Sequence, residues 1–193
     1  MIETYYRILK HDPDGKLVKD TGLLPSHSYV IQFLEIFESL FDGIDKDATD
    51  VDGNESALID TSDTMGNYAR PAVGPGVDAY GIVVGTNAGT TAEDNENYAL
   101  DTKIAEGVAS GELSYQGVTD VAPRVVGPNI DLDLSRTFLN EHATDPVTVK
   151  EIGIICRNET DTKYHLLLRD VVTDEEVAAG YTLTVVYTLR TTA

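Results

Sequence analysis

Between Tyr181 and Arg190 the chain alternates almost without a break, setting Leu183, Val185, Tyr187 and Leu189 against Thr182, Thr184, Val186 and Thr188. A period of two places these sets on opposite faces of a strand, whereas a helix of period 3.6 would scatter both around its circumference. The same signature recurs in Ile130-Asp131-Leu132-Asp133-Leu134-Ser135-Arg136-Thr137-Phe138, with Ile130, Leu132 and Leu134 on one face. Further strands are expected at Ile2 to Lys10, Leu17 to Thr21, Gly81 to Gly85, Glu112 to Gly117, Val147 to Arg157 and His165 to Asp170. Asp12-Pro13-Asp14-Gly15 supplies a turn between the first two, which read as a hairpin. Tyr98 to Ile104 reads as a short helix or an extended lead-in, and Ala57 to Asp60 as a short strand.

One segment follows a different period. Val30, Phe33, Leu34, Phe37, Leu40 and Phe41 recur at spacings of three and four, Ser28 stands where a cap belongs, and Gly43 stands where a helix would stop. Ile31 and Ile36 widen the apolar stripe, so the helix must be covered by its own sheet or by a second subunit. Helices do not alternate with strands, which argues against a βαβ enzyme fold. The expectation is a mainly β protein, an antiparallel sandwich of jelly-roll or immunoglobulin-like type with one N-terminal amphipathic helix. Residues 1–44 form the hairpin and helix, 45–79 a loop-rich arm or linker, and 80–193 the sandwich, in one compact unit with the N-terminal part.

Charge bounds the partners. Asp and Glu number 33 against 14 Lys and Arg, a net charge of −19. A field of that sign repels phosphate backbones and anionic membranes, so neither nucleic acid nor membrane is an expected partner. The acids are spread along the whole chain and lysines number only seven, which fits adaptation to a salty medium, ordinary acidic solubility or a calcium-rich setting. No apolar run approaches 18 residues, and Met1 to Thr4 lacks the character of a signal peptide, so synthesis in the cytoplasm is expected.

The groups that could carry chemistry do not form a site. Asp50, Asp52, Gly53, Asn54 and Glu55 resemble a calcium loop, but with Gly53 at the sixth position the first and twelfth fall on Ala48 and Ile59. Gly74, Gly76 and Gly81 precede a strand where a dinucleotide fingerprint precedes a helix, and Gly85 to Thr91 lacks the lysine of a phosphate loop. His11, His27, His142 and His165 lack metal-ligand spacing, and Cys156 sits in an apolar strand as a small buried thiol. Asn54-Glu55-Ser56 and Asn158-Glu159-Thr160 fit the glycosylation acceptor pattern. No catalytic, cofactor-binding or metal-ligating residue is assigned, no cofactor is expected, and the chain reads as a non-enzyme.

Several runs carry a resemblance. Tyr80-Gly81-Ile82-Val83-Val84-Gly85-Thr86, then Tyr98-Ala99-Leu100-Asp101-Thr102-Lys103-Ile104, then Val149 to Ile155, Leu167 to Val171 and Ala179 to Leu189 are similar to a pattern in small structural proteins of tailed double-stranded DNA viruses and proviruses. The opening hairpin leading into Ser28-Tyr29-Val30-Ile31-Gln32-Phe33-Leu34 fits it too. The resemblance covers roughly two-thirds of the chain and implies a virion component of the tail, neck or fibre, or a head decoration. With the acidic composition it implies a halophilic archaeal or marine host. The expected partners are further copies of itself and other virion proteins, and the expected address is the virion. The alternative is a receptor- or carbohydrate-binding module of a viral fibre, favoured by ten tyrosines and weakened by the absence of tryptophan.

Overall fold

The computed structural model describes residues 2–42, 46–59, 70–158 and 163–192. Strand β1 (Ile2–His11) is zipped along its whole length to β12 (Thr182–Thr192), from Ile2 opposite Thr191 to His11 opposite Thr182. On its other side β1 pairs with β2 (Leu17–Asp20) and β3 (Leu24–Ser26). Strand β12 in turn pairs with β9 (Asn129–Leu139), whose outer edge carries β8 (Thr119–Val126) at one end and β7 (Ser114–Tyr115) at the other. A second sheet runs β11 (Lys163–Val177), β10 (Val147–Asn158), β6 (Gly81–Gly85). A small ribbon joins β4 (Lys46–Thr49) and β5 (Glu55–Ile59). All of these pairings are antiparallel, so the protein is mainly β, as the alternation predicts.

Both larger sheets feed one buried cluster. Ile8, Tyr115, Phe138, Leu183, Val185 and Tyr187 come from the first; Ile82, Val84, Ile152, Ile154, Leu166 and Leu168 come from the second. Buried Arg136 joins loop to sheet: its guanidinium donates to the carbonyls of Val77, Tyr80, Ile82 and Gln116 at 2.5–3.1 Å and lies 4.7 Å from the Tyr115 ring centroid. In the opening turn, Asp12 accepts the backbone N–H groups of Asp14 and Lys16, and Gly15 takes φ 79°.

Two sequence expectations need correction. The helix α1 (Ile31–Asp42) follows three strands and is not the N-terminal element. Ser28 does not cap it either. Pro25 and Ser26 belong to β3, and Ser28 to Val30 run extended beside β11, with Arg169 N–H donating to the Ser28 carbonyl and Val30 N–H to Leu167. These long-range backbone bonds outweigh the local capping preference. The proposed stop at Gly43 lies outside the described residues, as does Asn158-Glu159-Thr160 beyond its asparagine. The helix packs on β11, β4 and β5, burying Gln32 and Ile36 while leaving Ile31 and Leu34 in water.

Tyr98 to Ile104 is an extended lead-in: Ile104 N–H donates to Val84 and Thr86 N–H to Thr102. Residues 46–59 form the β4–β5 ribbon, and residues 70–79 return to the body, where Arg70 pairs with Arg157 and the Val73 carbonyl accepts Val118 N–H.

Candidate assembly surface

Register across the first sheet places the inward-facing residues in successive rows. Lys10, Leu183, Phe138 and Tyr115 form one row; Ile8, Val185 and Arg136 the next; then Tyr6, Tyr187 and Leu134; then Thr4, Leu189 and Leu132; finally Ile2, Thr191, Ile130 and Val125. Cross-strand partners share a face, so all five rows look toward the side of the core. Cover fails along this series. Phe138, Ile8, Val185 and Tyr187 are sealed, Leu189 and Leu132 are half-buried, and the last row is open, with Ile2 56%, Ile130 48% and Val125 77% exposed. The β8–β9 hairpin and the start of β1 therefore end the first sheet in a row of β-branched side chains left in water.

The opposite face of the same strands carries paired charges, although Val121 and Val126 of β8 also lie on it, 48% and 43% exposed. Arg190 grips Asp131 in a two-pronged pair at 2.7 Å and stacks 5.2 Å from the Tyr5 ring, whose hydroxyl donates to Glu3. Asp133 accepts Arg124 at 2.5 Å and the Thr188 hydroxyl at 2.7 Å. The hydrogen bond from Arg190 holds the Asp131 carboxyl below the usual carboxylate range. One face thus has its Arg and Asp side chains paired, while the core-side face ends in the uncovered Ile2, Ile130 and Val125. The edge of β8 is blunted as a template for strand addition: Pro123 has no N–H, and the register shifts between Val121 and Arg124. What the hairpin presents is a face.

The candidate sites of the sequence resolve into structural roles. Asp50 caps the β4–β5 turn, accepting the N–H groups of Asp52 and Asn54 through Oδ1, with the Lys163 ammonium 3.5 Å from its other oxygen. That carboxylate is already engaged. In the loop Gly85 to Thr91 the N–H of Asn87 points at Glu151 (3.2 Å) and that of Gly89 at Asp101 (2.6 Å). The protein's own carboxylates stand where a phosphate would sit. The Glu151 carboxylate also accepts Asp101 and Thr102 N–H and the Arg169 Nε at 2.8 Å, while Arg169 spends its other donors on Asn87, Thr91, Ala92 and Asn97. This buried pair fixes a 17-residue stretch, 86–102, that has no regular structure of its own. Gly74 has open space around it, whereas Gly76 takes φ 77° and Gly81 takes φ 93° with Val73 and Val118 against it, so Gly76 and Gly81 serve backbone geometry.

Cys156 is sealed, and burial pushes its thiol up to about 12. Its cross-strand partner His165 is buried too, its Nδ1 3.3 Å from the Thr49 carbonyl and its basicity lowered by desolvation. His142 accepts the N–H of Asp145 in a tight turn, and His27 lines a surface cleft. Among the described residues no three His, Cys, Asp or Glu side chains cluster as metal ligands, and no helix is long and apolar enough to cross a membrane.

Sequence reasoning missed the parts played by Arg136, Arg169 and the β8–β9 hairpin. Arg136 had one legible signal, a cation in the apolar phase of the β9 alternation. Comparison with known proteins adds no identity: no family model, no curated protein and no solved structure matches the chain.

Proposed function

We propose that this chain is a non-enzymatic β-sandwich subunit, jelly-roll or immunoglobulin-like, of a tailed-virus particle, and that it assembles with its own copies and with other tail, neck or capsid proteins. The observation that carries the assembly role is the open row Ile2, Ile130 and Val125, on the side opposite the paired Arg190–Asp131 and Arg124–Asp133. Apolar area left in water costs about 25 cal/mol per Å², and exposed apolar side chains grouped at one end of a sheet mark a contact site. The β-strand resemblance to virion structural proteins supports the particle, and two antiparallel sheets feeding one core support the sandwich. The net charge of −19 disfavours nucleic acid and membranes and opposes self-association until salt shortens the screening length to about 3 Å near 1 M. The non-enzymatic reading rests on groups already consumed: Glu151, Asp101 and Asp50 are bound to the protein itself, and Cys156 is sealed. Negative-stain electron microscopy of the purified protein at molar salt tests it. Uniform closed or tubular assemblies, lost in a Val125→Asp/Ile130→Asp variant, are expected; dispersed single subunits at every protein concentration would sink the proposal.

A second reading, a carbohydrate-binding module, has one observation in its favour. A cleft of about 350 Å³ beside β1 and β3 is lined by Tyr5, Tyr29, Thr4, Ser26 and His27, an amphipathic set suited to a sugar ring. A glycan array that stays blank removes it.

A further inference from the structure

Five acids are buried among the described residues: Asp50, Asp131, Glu151, Asp170 and Glu175. Four of them face a cation. Asp50 meets Lys163, Asp131 meets Arg190, Glu151 meets Arg169, and Glu175 meets Lys10 and Lys19. Asp170, only 2% exposed, accepts through one oxygen the Ser26 hydroxyl at 2.9 Å and the Tyr187 hydroxyl at 2.9 Å, with the Ser28 hydroxyl acting on the same carboxyl. Its surroundings contain further acids and phenols: Glu93 from the 86–102 loop, which accepts Val171 N–H, Tyr6 from β1 and Tyr29 from the segment before α1. The hydroxyl donors favour the ionised form, but burial is the larger effect: an ionised carboxylate in that setting loses hydration, gains no counter-charge and faces the neighbouring Glu93.

The three bonded residues also span the joint of the molecule. Asp170 lies on β11 in the second sheet, Tyr187 on β12 in the first, and Ser26 on β3, from which the chain runs along β11 into the helix. We propose that Asp170 is a proton-operated clamp: with its carboxyl protonated it holds residues 24–30 between the two sheets, and loss of the proton to water loosens that segment and widens the cleft above it. The cleft is lined by Ser26, His27 and Tyr29 and shares Ile2 with the open apolar row. The proton therefore also sets the position of one end of that row. This last consequence rests on the assembly reading; the clamp itself does not.

The direction follows from linkage. Burial raises the Asp170 carboxyl above its ordinary value. The native state then binds more protons than the unfolded chain between about pH 3.9 and the raised value, so stability is highest below that window and falls as pH rises through it. One proton changes the opening equilibrium about tenfold per pH unit inside the window.

The test is amide hydrogen exchange on the isolated subunit, corrected for intrinsic rates, at Val30 and Arg169, whose N–H groups hold the segment to β11. Wild type should lose protection about tenfold per pH unit through the window, and Asp170→Asn, which keeps the size and removes the proton, should show no such loss. Equal pH slopes in both proteins would overturn the clamp. Repulsion among the other acids acts on both proteins alike and cancels in the difference. Should the variant fail to fold, the carbon-13 shift of the wild-type Asp170 carboxyl decides: a midpoint above the ordinary carboxylate range is expected, and an ordinary midpoint would overturn the proposal. Neither readout depends on oligomer formation, so failure of the clamp and failure of the assembly reading are separable.

Discussion

Arg169→Met removes five hydrogen bonds from the interior while keeping most of the side-chain volume. It leaves Glu151 buried, without its cation but still accepting N–H groups from Asn87, Asp101 and Thr102. Removing one partner of a buried pair costs about 3–5 kcal/mol. Three surviving donors put the expected loss near the lower end, about 3 kcal/mol. Against a total stability of about 5–15 kcal/mol this is a large fraction, and for a chain of this length it lowers Tm by about 6–12 °C. Urea unfolding at neutral pH measures it, with the midpoint falling and the slope unchanged. Because the pair is shielded from solvent, the loss should be the same at low and at molar salt. A loss below about 1 kcal/mol, or one that vanishes in salt, would show that the pair behaves like a surface contact and does not hold the 86–102 loop.

Other consequences are open to direct measurement. Phe138→Ala empties a sealed site packed edge-on to Tyr115 at 4.8 Å and should cost about 3–5 kcal/mol in the same unfolding assay. Cys156, its thiol pushed to about 12, should resist iodoacetamide at pH 8 in the native protein and react fully in urea, as mass spectrometry would show. Asp131 is held below the carboxylate range by Arg190, so its contribution is present above about pH 4 and is lost as pH falls through its lowered value. Arg190→Gln should flatten that part of the acid limb in a pH series of melting curves.

Period-two alternation made the strands legible, because it depends on nothing beyond which side chains face the core. Leu183, Val185 and Tyr187 are buried as their spacing requires. The extent of burial was not legible. Ile130 and Leu132 share the phase of Phe138 yet only Phe138 is sealed, because which positions of a face are covered depends on strands far away in the sequence. Strand β8 escaped notice because its residues are exposed on both faces and carry no alternation to read. Ser28 reads locally as a cap, but backbone bonds to β11, more than a hundred residues away in the chain, hold it extended. Arg169 and Glu151 look like ordinary surface charges in a chain this acidic; only the fold reveals that they face each other inside it.

The central claim is that the open row Ile2, Ile130 and Val125 is a contact between subunits. Light scattering coupled to gel filtration, run at low and at molar salt on wild type and on Val125→Asp/Ile130→Asp, tests it most directly. A discrete oligomer that forms or tightens in high salt for wild type, with the variant monomeric and equally stable, is the predicted result. A folded wild-type monomer in both conditions, or an oligomer unchanged by the two substitutions, would contradict it.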